Sequence, residues 1–345
     1  MTATVAVDAN GADLGPREVA EGAMLAARDG VRVLLYGPAA QIGPVYDGVT
    51  IVDSPVSIAK AADPAAAARS MRDASIVRAA RAVADGEADA LVSAGSTGAA
   101  LAAGLFNVKR ARGIYRPALA VPLPIPDYPV TLLDVGANAE VRPEQLVQFA
   151  FMGAALVTLR QGIARPRVAL LSNGEEATRG TTVVLEAHRM LAARAEGSFA
   201  LEFVGNVEGT NVTTGAADVI VADGFTGNIA VKMLEGVSQS LLAAIRDRAT
   251  ASSRGKLGGV LLRPALRGLR EEIDPEEAGG AYLLGLRKLG VVPHGRFTRR
   301  GFAEAIRQAA RGVDEDVVGR TSAAMEAAGA LRRPSSDSPA TVPAE

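Results

Sequence analysis

Short runs rich in Val, Ile and Leu recur along the chain: TVAVD (4–8), VRVLLYG (31–37), VTIVDS (49–54), ADALVSAG (88–95), ALAVPLP (118–124), VTLLDVG (130–136), RVALLSNG (167–174), LEFVGN (201–206) and DVIVADG (218–224). Runs such as VTLLDV are apolar at successive positions instead of alternating, which is the pattern of strands covered on both faces. Between them, residues 16–29, 64–84, 143–161 and 181–195 have helical composition, and several of these stretches open with Pro, which suits a first helical turn. Strands alternating with helices predict a three-layer α/β/α fold, doubly wound around a mostly parallel sheet. Such sheets take ligands at the carboxyl ends of their strands, and there this sequence is least ordinary.

The chain has 345 residues, so its length suggests two medium α/β parts; we read residues 1–330 as one two-part catalytic unit. Hydrophobic residues make up 48% and charged residues 22%, a balance that supports buried sheets and argues against disorder. A net charge of −1 gives no basic surface of the kind that nucleic acid requires. There is no cysteine, which removes disulfides, thiolate zinc sites and a cysteine nucleophile. With only His188 and His294, neither a His-rich metal site nor a Ser-His-Asp constellation can be assembled. No cofactor or metal is expected. The start MTATVAVDAN lacks a basic region followed by an apolar run, which favours a cytoplasmic protein. Residues 331–345 are Pro- and Ser-rich without apolar periodicity and are expected to be disordered.

One stretch is written twice: ADALVSAGSTG at 88–98 and ADVIVADGFTG at 217–227. Each copy runs from a strand into Gly-x-Thr-Gly (Gly95-Ser96-Thr97-Gly98, then Gly224-Phe225-Thr226-Gly227) and on into a helix. A turn of this kind aims free N–H groups and the positive end of a helix dipole at one point, and its Thr hydroxyl offers a further donor. It suits an anion; the same residue types also serve as plain helix caps. After the second copy, Lys232 follows Asn228 by about one turn, near enough to join the anion site. Acidic and amide residues gather at other strand ends: Asp8, Asn10, Gly11 and Asp13; Ser93 and Asp223 just before the repeated turns; Asp134, Gly136 and Asn138; and Asn173, Glu175 and Glu176. Carboxylates are poor phosphate ligands, so these are expected to orient donors, lysines or water, or to close over a substrate. The dinucleotide and P-loop glycine patterns are both absent.

Residues 254–270, RGKLGGVLLRPALRGLR, hold five basic residues (Arg254, Lys256, Arg263, Arg267 and Arg270), no acidic one, and Leu at 257, 261, 262, 266 and 269. Pro264 and the glycines at 255, 258 and 259 argue against one continuous helix. We therefore expect a basic amphipathic hairpin of two short arms across about 252–273, serving either dimer packing or docking.

Ten blocks in this order resemble the bacterial phosphate acyltransferases of phospholipid synthesis: VAVDANGAD, SMRDASI, ADALVSAGSTGAALAAGLF, GIYRPALAVPLP, LLDVGANAEVRPEQLVQFAFMG, RPRVALLSNGEEATRG, FVGNVEG, DVIVADGFTGNIAVKMLEG, AGGAYLLGLR and His294-Gly295. The resemblance covers most of the chain. It implies an enzyme that moves a fatty acyl group from an acyl-carrier-protein thioester to inorganic phosphate, on the fold shared by isocitrate and isopropylmalate dehydrogenases and phosphotransacetylase. It implies that Lys232, Asn228, Arg179 and His294 work at the reacting groups. The two turns and the acidic loops would then bind substrate. It further implies a homodimer and, because the carrier is acidic and the product goes to a membrane acyltransferase, a basic hairpin that docks the carrier, an anionic membrane surface, or both. This sequence departs from the family pattern at Asn10 and Ala12 (usually Met and Gly), Ser96 (Asn), Arg179 (Lys) and Arg296 (a small or hydroxyl residue). Acyl-CoA as donor, a dehydrogenase on the same fold, and a non-catalytic member remain the competing readings.

Overall fold

The computed structural model describes residues 3–46 and 48–332, without the side chains of residues 270 and 271. The first half runs β1 (Thr4–Asp8), α1 (Pro16–Ala27), β2 (Arg32–Gly37), α2 (Ala39–Ile42), β3 (Val49–Asp53), α3 (Pro64–Ser70), α4 (Ser75–Asp85), β4 (Ala90–Ser93), α5 (Thr97–Ala103, continued by a wider turn at Gly104–Val108), β5 (Ala118–Leu123) and β6 (Val130–Leu133). There follow α6 (Pro143–Gln161), β7 (Arg167–Leu171), α7 (Thr182–Ala195), β8 (Glu202–Val207), a tight turn at Gly209–Thr213, β9 (Val219–Val221), α8 (Gly224–Thr250), α9 (Ser253–Glu272), β10 (Ala281–Leu284), β11 (Leu289–Val292), α10 (Arg299–Asp314) and α11 (Val317–Ala327).

All the strands join one eleven-stranded sheet in the order β3-β2-β1-β4-β11-β10-β5-β6-β9-β7-β8. The two-face burial predicted from composition is visible residue by residue. Val5 and Val7 pack with Met24, Phe302 and Ile306 on one face, while Ala6 packs with Ile76 and Val83 on the other. In the second half Val219 and Val221 join Phe149 and Leu191, and Ile220 lies opposite with Leu132 and Ala169. The sheet is parallel except at its middle, where β11–β10, β10–β5 and β5–β6 pair antiparallel. Those three reversals make β4 and β9 run in opposite directions, so the turns that leave them approach the middle strands from opposite ends.

Three expectations are corrected. The helical stretch at 64–84 is two helices, because the chain opens between α3 and α4 so that the Ser75 N–H can reach the Val56 carbonyl at 3.0 Å and its hydroxyl can reach Asp8 at 2.6 Å. The strands β10 and β11 were not anticipated. The basic segment is not two short arms: α9 is one helix with Pro264 inside it, and the hairpin is α8 against α9. Pro264 costs the helix the N–H that Val260 would accept. Val260 is 66% exposed, so water can take its carbonyl. Two of the glycines are used for close approach instead of breaking the helix: a Cβ at Gly255 would stand 2.8 Å from the Ala249 carbonyl oxygen, and one at Gly259 3.4 Å from the Ala249 methyl. The stretch expected to be disordered lies outside the described residues from 333 onward.

Candidate active site

The repeated stretch builds two closely similar corners. In each, the Asp that opens the repeat fastens the first N–H of the neighbouring parallel strand: Asp89 accepts from Thr4 at 2.8 Å, and Asp218 accepts from Arg167 at 2.7 Å. In each, the strand then turns into a capped helix. Ser96 caps α5 by accepting from the Ala99 N–H at 3.3 Å, and Asp223 caps α8 by accepting from the Thr226 N–H at 2.8 Å. The Thr226 hydroxyl donates to the same Asp223 carboxylate at 2.8 Å, so in this structure it steadies the cap and is not a free donor.

Each corner rests on a buried carboxylate from the strand beside it. Asp8 accepts from the Ser75 hydroxyl (2.6 Å), the Ser93 hydroxyl (3.0 Å) and the Asn10 N–H (3.2 Å), and Asn10 is itself held by its amide on Ser75 and the Ser54 carbonyl. Burial raises the Asp8 pKa to about 6 in spite of these donors. Asp134 accepts from the N–H groups of Leu119, Gly136, Ala137 and Asn138 and from the Asn138 amide, all between 2.8 and 3.2 Å; burial pushes it above the usual carboxylate range as well. Asp8, Asn10, Ser93, Asp134 and Asn138 are therefore supports buried beneath the surface that a ligand would touch.

The second corner is packed more tightly than the first. A Cβ at Gly227 would lie 2.0 Å from the Asp134 carbonyl oxygen, and one at Gly224 2.8 Å from the Asn138 carbonyl and the Asp134 carboxylate. At Gly98 the nearest atom would be the Pro64 ring at 3.1 Å. The corners meet at Gly136, where a Cβ would stand 3.9 Å from the Thr97 methyl and 4.0 Å from the Asn228 amide carbon.

Around that meeting point opens a cleft of about 1020 Å³. Of the residues singled out from sequence, Gly11, Asp13, Gly95, Ser96, Thr97, Gly136, Asn228, Lys232 and His294 line it. On α8 the lining residues Asn228, Val231, Lys232, Glu235, Ser238, Gln239 and Leu242 recur at three- and four-residue intervals and so share one helix face. The polar end holds Lys60, Lys232, Glu235, His294 and Arg296. Glu235 accepts from Arg296 at 2.7 Å, and burial together with the Arg296 charge lowers the His294 pKa. The cleft then continues as an apolar trough along Leu119, Val121 and Leu123 of β5, Ile125, and Leu234 and Leu242 of α8.

Lys60 and Glu235 were missed from sequence. Glu235 follows Lys232 by three residues on the same helix and was findable by that spacing; Lys60 sits in a loop with no pattern to mark it. Asn173, Glu175, Glu176 and Arg179 do not line the cleft. They lie in the exposed loop after β7, where Arg179 pairs with Glu176 at 3.6 Å and Asn206 holds the Glu176 backbone carbonyl at 2.9 Å. Arg254, Lys256, Arg263 and Arg267 are exposed on α9, away from the cleft lining, and the Arg270 side chain lies outside the described residues. Among the described residues no cluster of three or more His, Asp or Glu is placed to hold a metal, and no helix is long and apolar enough to cross a membrane.

Solved structures with this architecture include a phosphotransacetylase from Streptococcus pyogenes (TM-score 0.60, 17% identity, covering 90% of this chain and 94% of that one). A 4-hydroxythreonine-4-phosphate dehydrogenase from Klebsiella pneumoniae has a TM-score of 0.50 at 17% identity, covering 90% and 99%. At such identities the likeness shows the fold. Sequence relatives are much nearer. The phosphate acyltransferase of Heliobacterium modesticaldum is 43% identical over 91% of this chain and 95% of its own length, and that of Geobacillus thermodenitrificans 40% identical over 93% and 98%. The family described as "Fatty acid synthesis protein" matches residues 3–320. With a match of that extent and curated relatives at about 40% identity along nearly their whole length, this chain belongs to the fatty acid synthesis protein family, among relatives named phosphate acyltransferases.

Proposed function

We propose that the chain transfers a fatty acyl group from the thioester of acyl-carrier protein to inorganic phosphate, giving acyl phosphate for phospholipid synthesis. The observation that carries this reading is the two-natured cleft: a cationic end lined by Gly95, Ser96 and Thr97 of the first Gly-x-Thr-Gly corner and by Asn228 and Lys232 just beyond the second, continuous with an apolar trough along β5 and α8. An anion and an alkyl chain fit its two ends, and the bond between them forms where Gly136, Thr97, Asn228 and Lys232 converge.

Phosphate is already a nucleophile and a thioester already has a good leaving group, so alignment is the main task. Holding the two reactants in line is worth several kcal/mol, and each N–H aimed at the developing oxyanion about 3 kcal/mol. A phosphate oxygen bonds to the thioester carbonyl carbon, the carbonyl becomes an oxyanion, and its collapse breaks the C–S bond and releases the carrier thiolate. Lys232 and the first corner's N–H groups at Ser96 and Thr97 hold phosphate, Asn228 and His294 face the carbonyl, and Asp13 orders the loop beside them through its N–H to the Gly295 carbonyl at 2.8 Å. Arg179, with Asn173, Glu175 and Glu176, belongs to the loop after β7, outside the cleft lining, and would reach a bound anion only if that loop moved inward.

Residues 1–330 act as one two-part unit in this reading, each half of the sheet giving one corner. On α8 the exposed apolar residues Phe225, Ile229, Met233, Val237, Leu241 and Ile245 recur every four residues, a stripe suited to a second copy of the chain. On α9 Leu257, Val260, Leu261 and Leu262 are 58–74% exposed beside exposed Arg254, Lys256, Arg263 and Arg267, which suits an anionic bilayer surface, near the membrane acyltransferase that takes the product, and the acidic carrier. The enzyme then works in the cytoplasm, peripheral to the membrane. Acyl-CoA is the second reading for the donor, favoured by the phosphotransacetylase-like fold. Purified protein with carrier protein bearing a fatty acyl thioester should release free carrier thiol only when phosphate is present. Release without phosphate refutes acyl transfer to phosphate, and activity on acyl-CoA alone moves the assignment to the second reading.

A further inference from the structure

One group of charges in the cleft is arranged more closely than anion binding requires. Glu235, only 16% exposed in its side chain, stands between two partners from the loop after β11. It accepts from Arg296 Nη2 at 2.7 Å, whereas His294 Nε2 is 4.0 Å from the same oxygen, too far for a hydrogen bond. The Arg296 backbone N–H points at His294 Nδ1 at 3.4 Å, and the ring lies near parallel to Phe297 with centroids 6.2 Å apart. With Nδ1 placed to accept from that N–H, a neutral ring would carry its proton on Nε2, on a side chain that lines the cleft.

We propose that Arg296 is a positioning residue: by occupying Glu235 it leaves the His294 imidazole uncharged, so that its Nε2–H serves the thioester carbonyl as a neutral hydrogen-bond donor. The inference rests on the acyl-transfer reading of the cleft. Without Arg296 the free Glu235 carboxylate would draw a proton onto His294. An imidazolium beside the nucleophile would share that proton with phosphate and weaken its attack. The charged groups around the ring all enter this balance. Lys232 from α8 and Arg296 from the ring's own loop oppose its protonation; Glu235 from α8 and Asp13 from the loop after β1 favour it. Burial opposes it as well, and the net direction is downward.

The chain has only two histidines, so the His294 ring can be followed by NMR in protein labelled at histidine Cε1, with His188, bonded to Asn206 at 2.9 Å, as an internal control. Arg296→Gln should raise the His294 midpoint by about one pH unit, and Glu235→Gln should lower it, because the two changes remove charges of opposite sign. Arg296→Lys should return it towards the wild-type value, and His188 should not move. The acid limb of kcat/KM for phosphate-dependent thioester cleavage should shift in the same direction as the midpoint. Midpoints that stay put in both Gln variants, or move the same way, overturn the inference. So does a midpoint that moves while the pH–rate profile does not; the acyl-transfer reading survives that outcome, since it fails only if wild-type cleavage is independent of phosphate.

Discussion

The two Gly-x-Thr-Gly corners read alike but are packed differently, and replacing the last glycine of each by alanine separates them. At Gly227 the new methyl would need a place now 2.0 Å from the Asp134 carbonyl oxygen, a backbone atom of the residue just past β6 whose N–H is tied to the Ala222 carbonyl at 3.0 Å. Relief requires α8 to move off the 134–138 loop by roughly 1 Å, which strains the 2.7 Å hydrogen bond from the Gly224 N–H to the Asn138 carbonyl. Overpacking of this kind together with one compromised buried hydrogen bond amounts to about 3 kcal/mol or more. At Gly98 the obstacle is the Pro64 ring at 3.1 Å, which can give by a few tenths of an ångström, and alanine in a first helical turn recovers about 0.5–1 kcal/mol of backbone entropy. Gly98→Ala should thus stay within about 1 kcal/mol of wild type. Urea denaturation followed by far-UV circular dichroism measures both. Equal shifts, or a Gly227→Ala protein as stable as wild type, would refute the claim that the second corner is held by close backbone contact.

Three further outcomes follow from the same geometry. Asp8 has its pKa raised from 3.8 to about 6 by burial, so its stabilising contribution is full below pH 3.8 and is lost as pH rises through about 6. Asp8→Asn should abolish that loss, worth about 3 kcal/mol between the two limits, and urea midpoints from pH 4.5 to 7.5 that keep the wild-type slope would contradict it. Lys232→Ala should raise the KM for phosphate at least tenfold with little change in stability; Thr226→Ala, which removes the hydroxyl hydrogen bond to Asp223 but keeps the Asp223 cap on the backbone N–H, should cost about 1 kcal/mol of stability and leave that KM nearly unchanged. Steady-state kinetics and thermal melts separate the two, and reversed effects would remove Lys232 from the anion site. Finally, Arg263→Glu with Arg267→Glu should abolish co-sedimentation with anionic liposomes while phosphate KM stays the same; a protein that sediments as before but has become monomeric shows α9 to be an assembly element.

Much of the fold was legible because burial on both faces of a strand leaves an unmistakable run of apolar residues, as at Val5-Ala6-Val7 and Val219-Ile220-Val221. What escaped had local signals that were weak or overruled. AYLL and LGVV, the strands β10 and β11, are four residues long and sit close to glycines and charges, with no alternation to count. Residues 71–74 read as helix, and only the distant partners Val56 and Asp8 require the break. Pro264 and the glycines of α9 read as breakers, yet Gly255 and Gly259 serve close contact with α8. At the candidate site, sequence found the loops that turn into helices but could not separate lining residues from buried supports. Asp8 at the end of β1 and Asp13 in the loop after it lie five residues apart, and only their burial tells that the first holds the corner while the second faces the cleft.

The central claim is that phosphate itself, held where the two corners meet, attacks the acyl carbon. Incubation of the enzyme with long-chain acyl-carrier protein and phosphate labelled with ¹⁸O at all four oxygens, followed by mass spectrometry of the intact acyl phosphate, tests it most directly. Direct attack predicts acyl phosphate that keeps all four labelled oxygens, one of them in the new bond to carbon, formed in step with free carrier. Free fatty acid as the first product, or an acyl phosphate whose bridging oxygen is unlabelled, would contradict the account.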